Sequence, residues 1–218
     1  MDPDAAEIRV LGCLLEKQRT TPDAYPLTLN ALRSACNQST NREPVVDFDE
    51  QTIRDAAHRL WRRGWARLAS GAGSRAAKYR HLLDEALGLD REQLAVLCVL
   101  MLRGPQTPGE LKGRTERLHP LGGLEDVERV LDALIGRELV RRLDRRPGQK
   151  EVRYEQLLGG DAAGEPAGVV PPAATAPPGA PPSPADRASR GEGALADRVE
   201  RLESELAALR ARVDEVLG

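Results

Sequence analysis

Residues 49–83 read DEQTIRDAAHRLWRRGWARLASGAGSRAAKYRHLL. Ile53, Ala57, Leu60 and Gly64 recur at helical spacing, which predicts a helix with one buried stripe that ends at Gly64. Asp47 and Glu50, at capping-box spacing, prepare its start. Two short strand-like runs follow, WARLAS at 65–70 and AKYRHLL at 77–83, on either side of the Gly-rich GAGSRA. That is a β-hairpin. A helix feeding directly into a hairpin is the second half of a winged helix, and the residues upstream supply the rest. DAAEIRVLGCLLEKQ opens on Asp4 and Glu7 at capping-box spacing and sets Ile8, Leu11, Leu14 and Leu15 on one face. LTLNALRSAC, from residue 27, reads as a second helix, and NQSTNREPVV as a loop before the third.

Residues 89–158 repeat this order with different residues: REQLAVLCVLMLRG, TPGELKGRTERL, GLEDVERVLDALIGRE and the hairpin LVRRLDRRPGQKEVRYEQLL. A shift of 74 positions places Ile53, Ala57 and Leu60 on Val127, Leu131 and Leu134. Two copies with an interposed hairpin fall short of a helical solenoid. The expected fold is therefore mainly α with small β-hairpin wings. It comprises two tandem winged helix-turn-helix domains, over 1–88 and 89–158, then a disordered linker and a C-terminal coiled-coil helix. The linker, 159–190, holds 8 of the chain's 16 prolines and almost no large apolar side chain, so burial cannot offset the entropy of ordering it. Over 191–218, Leu195, Val199, Leu202, Leu206, Leu209, Val213 and Val216 alternate in steps of four and three. This is a coiled-coil seam whose β-branched a positions and leucine d positions favour a parallel homodimer. The alternative is a lone amphipathic helix that docks on the globular part, since three heptads are marginal alone.

The stretches LLEKQRTTPDAYPLTLNALRSACNQSTNREPV (14–45), RGPQTPGELKGRTERL (103–118) and KYRHLL (78–83), with the terminal heptads, resemble the YceH family of bacterial proteins. The resemblance implies tandem winged helices with a C-terminal helix. It implies no activity, because members of that family are described as uncharacterised.

Composition narrows the function. The 218 residues carry a net charge of −2, and only six aromatic side chains (two Trp, three Tyr, one Phe) serve any core. No stretch approaches the roughly 20 apolar residues of a membrane span, and MDPDAAEIRV lacks the features of a signal peptide. A cytoplasmic protein without a membrane partner is expected. Cys13, Cys36 and Cys98 form no CxxC and have no His at ligand spacing, which argues against a disulfide framework and a zinc site. Phosphate-loop, dinucleotide-binding, nucleophile-elbow and HExxH patterns are missing, and GAGS joins two strands instead of opening a helix. His58, His81 and His119 read as ordinary surface or hairpin histidines. No cofactor, metal or catalytic group is expected, and the chain reads as a non-enzyme.

One excess stands out against the near-neutral total. From residue 54 to 80 there are eight Lys or Arg against one acid. The helix over 49–64 turns Gln51, Arg54, Asp55, His58 and Arg62 outward, flanked by Arg59 and Arg63. In a helix-turn-helix protein Gln51, Arg54 and His58 would read base edges, while Arg59, Arg62, Arg63, Arg75 and Lys78 would hold phosphates. Binding of double-stranded DNA through the first domain, with transcriptional regulation as one use of it, is the leading function. The alternative is a protein-interaction scaffold that uses winged helices as docking modules, with no nucleic-acid role. In the second half the equivalent outward positions are Glu125, Glu128, Arg129, Asp132 and Gly136, a face better suited to a protein than to phosphate. The loop residues Asn37, Gln38, Asn41, Arg42 and Glu43 are a candidate site for an unidentified protein partner. Their competing role is structural, because Asn and Ser close turns and an Arg can tie a loop down.

Overall fold

The computed structural model describes residues 2–69, 77–145 and 151–159. The chain divides into two units, residues 1–168 and 169–218. The predicted linker, the coiled-coil seam from Leu195 to Val216, and Arg75 in the first hairpin turn lie outside the described residues. What is described is mainly helical with small antiparallel sheets.

Helix α1 (Ala5–Thr20) begins with the expected capping box: Asp4 accepts from the Glu7 amide and Glu7 answers the Asp4 amide. A short β1 (Leu27–Thr28) precedes α2 (Leu29–Cys36), followed by α3 (Glu50–Arg62), β2 (Ala66–Leu68), β3 (Lys78–His81) and a short α4 (Leu83–Leu87). The first sheet has the order β1-β3-β2, with Leu27 opposite Tyr79, and Ala66 and Leu68 opposite His81 and Tyr79. Helix, strand, two helices and a hairpin make a winged-helix-like arrangement. Two expectations need correction. Leu27 and Thr28 belong to a strand, because Thr28 keeps an extended backbone as the N-cap of α2 and its side chain accepts from the Ala31 amide. The cap of α3 is Asp49, which accepts from the Thr52 amide at 2.7 Å, while Asp47 instead accepts from Asn37.

The second half runs α5 (Arg91–Arg103), α6 (Pro108–Thr115), α7 (Leu124–Ile135), β4 (Val140–Leu143) and β5 (Arg153–Gln156). Asp90 and Gln93 form a capping box on α5, as Asp4 and Glu7 do on α1. The stripe expected by the 74-position shift holds: Ile53, Ala57 and Leu60, and Val127, Leu131 and Leu134, are all buried. Further upstream the offset is 79, because Thr107 caps α6 as Thr28 caps α2, and a bridge from Gln106 to Tyr154 stands where β1 pairs with β3. The five-residue difference is the shorter loop of 116–123 against 37–49.

The halves share one continuous core. α1 packs on α2 and α3 and also on α5, so Val10 and Cys13 are buried along with Ile8, Leu11, Leu14 and Leu15. At the crossing, the Cys98 thiol donates to the Gly12 carbonyl at 3.4 Å. A Cβ on Gly12 would lie 2.8 Å from Leu102 Cδ2 and 3.3 Å from Met101 Cβ. Gly12→Val is therefore expected to lower stability by about 1–3 kcal/mol, although valine is the better helix former. Urea melts of Gly12→Val, Leu102→Ala and the double variant test this: positive coupling is expected, and additive losses would contradict the close approach.

Candidate nucleic-acid interface

α3 is amphipathic because Ile53, Ala56, Ala57 and Leu60 line its buried side, leaving Gln51, Arg54, Asp55, His58 and Arg62 exposed as the periodicity required. These exposed groups already interact. Arg54 pairs with Glu50 and donates to Gln51 Oε1 at 3.3 Å, while Gln51 Nε2 donates to Asp55 Oδ1 at 2.9 Å. Such exposed pairs are worth about 0–1 kcal/mol and yield readily to a ligand. The His58 and Trp61 rings stand 5.5 Å apart, and Trp61 is 53% exposed.

The two flanking arginines are committed elsewhere. Arg59 Nε donates to Glu7 Oε2 at 3.0 Å, and Arg59 also reaches Asp4. Arg63 Nε donates to Glu7 Oε1 at 3.1 Å. Glu7 is only 2% exposed, so a nearly buried carboxylate on α1 is neutralised by both. Arg80 faces Glu85 at 3.6 Å. Among the described residues Arg62, Arg67 and Lys78 carry no ion pair, and they sit at the end of α3 and on the two wing strands. The eight-to-one count along the sequence thus overstates the available charge, because the compensating acids lie about fifty residues earlier in the chain. Arg67 belongs to that count although helix periodicity gives it no role. Its exposed place on β2, directly opposite Arg80, comes from the strand register.

The loop residues act largely as fasteners. Asn37 donates to the Phe48 carbonyl at 2.8 Å and accepts from the Phe48 amide at 2.9 Å. Arg42 is buried. It donates to both oxygens of Glu16 at 3.2 and 2.6 Å, to the Ala35 carbonyl at 3.1 Å and to Gln38 Oε1 at 2.9 Å. Asn41, at φ 60°, accepts from Arg103, and the Glu43 amide donates to the Leu102 carbonyl at 2.8 Å. Only the Glu43 side chain stays well exposed.

His81 is a hairpin histidine, as expected, but not an exposed one. It lies on β3 but is fully buried. Its backbone amide donates to Tyr25 Oη at 2.8 Å, Nε2 is 2.7 Å from Gln18 Oε1, and Nδ1 accepts from the Leu83 amide at 3.3 Å. Burial lowers its pKa to about 4, against the pull of the Asp84 carboxylate.

In the second half Glu125, Glu128, Arg129, Asp132 and Gly136 are exposed as expected, with Arg129 held by Glu92 at 2.8 Å and Asp126 at 3.3 Å. No cluster of His, Cys, Asp and Glu able to hold a metal occurs among the described residues, and no described helix is long and apolar enough to cross a membrane. All three cysteines are buried and free.

Residues 4–149 match the family described as "Protein of unknown function, DUF480". A UPF0502 protein of Pelobacter propionicus is 49% identical over 209 residues, covering 95% of this chain and 90% of its own. One from Solibacter usitatus is 54% identical, covering 72% of this chain and 76% of its own, and one from Geotalea uraniireducens is 47% identical over 94% and 89%. A family match over most of the chain and relatives near 50% identical along nearly all of it show that this chain belongs to the bacterial DUF480 family, whose members carry the name UPF0502 protein.

Proposed function

We propose that this chain is a non-enzymatic, duplex-DNA-binding protein built from two tandem winged helices, a reading that also draws on the likeness to the YceH family. The first half meets the duplex, and residues 191–218 pair two copies as a parallel coiled coil. The observation that carries the DNA reading is the set of Arg62, Arg67 and Lys78, which have no ion pair among the described residues and flank the exposed α3 face of Gln51, Arg54 and His58. Phosphate would be held by those three, and base edges met by the α3 residues once the weak Glu50 pair opens.

Fluorescence anisotropy with a random 30-base-pair duplex at several salt concentrations tests this. The triple variant Arg62→Gln, Arg67→Gln, Lys78→Gln is expected to flatten the slope of log affinity against log salt by about three units. An unchanged slope would refute the assignment.

The commitment of Arg59 and Arg63 to Glu7 makes a further outcome specific. Glu7→Gln is expected to tighten DNA binding by removing the carboxylate that neutralises Arg59 and Arg63 together, while costing about 1–2 kcal/mol of stability. Looser binding in a folded Glu7→Gln protein would show that the arginines face away from the duplex.

A second reading, docking of a protein partner, is favoured by the exposed Trp61 and by the acidic surface of α7. Protein that binds no duplex even at low salt would promote it.

A further inference from the structure

The loop over 37–44 and the α5–α6 corner are far apart in sequence and meet at the seam between the halves. The Glu43 amide donates to the Leu102 carbonyl at 2.8 Å, and Asn41, in a left-handed conformation that asparagine tolerates well, accepts from Arg103. This places Arg103 of α5 at the loop, within electrostatic reach of Glu16 and Arg42 and of Arg114 and Arg117 on α6 and its C-terminal extension.

The acids there are oversubscribed. Glu16 accepts both hydrogen bonds of Arg42 and lies 3.7 Å from Lys17. Glu110 caps its own helix and is shared between Arg153 at 2.8 Å and Arg114 at 3.5 Å. Arg103 is bonded to a neutral amide, and Arg117 is exposed and has no ion pair among the described residues. The remaining acids here are the exposed Glu116 and, on the loop, the exposed Glu43, against the cations Arg103, Arg114, Arg117, Lys17, Arg42 and Arg153. The guanidiniums act on common neighbours: burial first, then Arg114 and Arg117, hold Arg103 below its ordinary pKa. Burial pushes the Glu16 carboxyl up, but Arg42, Lys17 and Arg117 bring it below its ordinary value.

We propose that this seam, presenting Arg103, Arg114 and Arg117, is a second binding surface for the phosphate backbone of duplex DNA, contributed mainly by the second half. Guanidinium groups match phosphate oxygens in pairs, and an anion here relieves the crowding of like charge. A protein partner fits less well, since interfaces need an apolar centre. Of the large apolar side chains exposed among the described residues, Trp61, Leu68 and Leu124 belong to none of α5, α6 and the loop of 37–49, and the single Val45 on that loop is too little for such a centre. The inference rests on the nucleic-acid reading for the identity of the polyanion, but it uses residues that reading leaves untouched. It also gives the second half a DNA contact that avoids its acidic α7.

The test is the salt dependence of binding of the full chain to a random 30-base-pair duplex. Arg114→Gln with Arg117→Gln is the seam variant, Arg129→Gln on α7 is a single-charge control compared per residue, and the Arg62, Arg67 and Lys78 triple variant is measured alongside. Circular dichroism melts verify that each protein is folded. The seam variant is expected to flatten the slope by about two units, so that its affinity falls about 12-fold less than wild type between 50 and 200 mM salt. The control should leave the slope unchanged. Loss of slope in the seam variant alone supports this surface and refutes the wing. Loss in the triple variant alone overturns the seam. A slope change in Arg129→Gln equal to that per residue in the seam variant overturns it too, by showing a nonspecific charge effect. Absence of duplex binding by the wild-type chain overturns both surfaces.

Discussion

Arg42→Met is expected to cost about 3–5 kcal/mol, the usual result of stranding one member of a buried ion pair. The Arg42 side chain is 0% and that of Glu16 9% exposed, and the guanidinium also satisfies the Ala35 and Asn41 carbonyls. Removing it leaves a carboxylate with only the ion pair to Lys17 at 3.7 Å and the more distant pull of Arg117, and releases the loop that ties α2 to α5. Denaturant melts measure the loss. Glu16→Leu combined with Arg42→Met should recover much of it, because two apolar groups remove the unpaired charge even though the loop carbonyls stay unsatisfied. A double variant as unstable as Arg42→Met would place the cost in the loop bonds instead. The pair also has a pH signature. With its pKa below the ordinary carboxylate value, Glu16 contributes stability that is present above pH about 4.3 and is lost as the pH falls through its folded pKa.

The second large effect belongs to His81. Its folded pKa of about 4 lies below the ordinary value of about 6.5, so the unfolded chain binds the proton first. Stability is full above pH 6.5 and is lost as the pH falls from there towards 4, by about 3 kcal/mol at about 1.4 kcal/mol per pKa unit. Protonation at Nδ1 removes the acceptor used by the Leu83 amide, and Asp84 at 3.6 Å offsets only part of the burial cost. Urea melts at pH 7 and 4.5 check this. His81→Gln should be less stable at pH 7 and lose less on acidification, and equal losses in variant and wild type would refute the assignment.

Helix periodicity made much of the fold legible. Ile53, Ala57 and Leu60 with their counterparts 74 positions later, the Asp4 box and the wing strands all lie where local pattern put them. The pieces that escaped are those decided by distant residues. Leu27 and Thr28 look like the start of a helix until β3 arrives to pair with them. Burial of His81 depends on Tyr25 and Gln18, each more than fifty residues away. The basic stretch was visible, but its neutralisation by Asp4 and Glu7 was not, because charge counted along a window cannot register acids on another helix. For the loop of Asn37 and Arg42, residue type favours a structural tie over a partner site, and the hydrogen bonds show the tie.

The position of α1 between α3 and α5 also sets a timetable for synthesis. This helix leaves the ribosome before α5 does, and the α5 surface that covers its second apolar face is complete only after residue 103 is made. At about 5–20 residues per second, the 83 residues separating the ends of the two helices take about 4–17 s. For that interval the α1 surface around Gly12, which Cys98, Met101 and Leu102 later cover, stays open to water. Holdase chaperones thus have a defined window on this polypeptide, and ribosome pausing before residue 103 lengthens it.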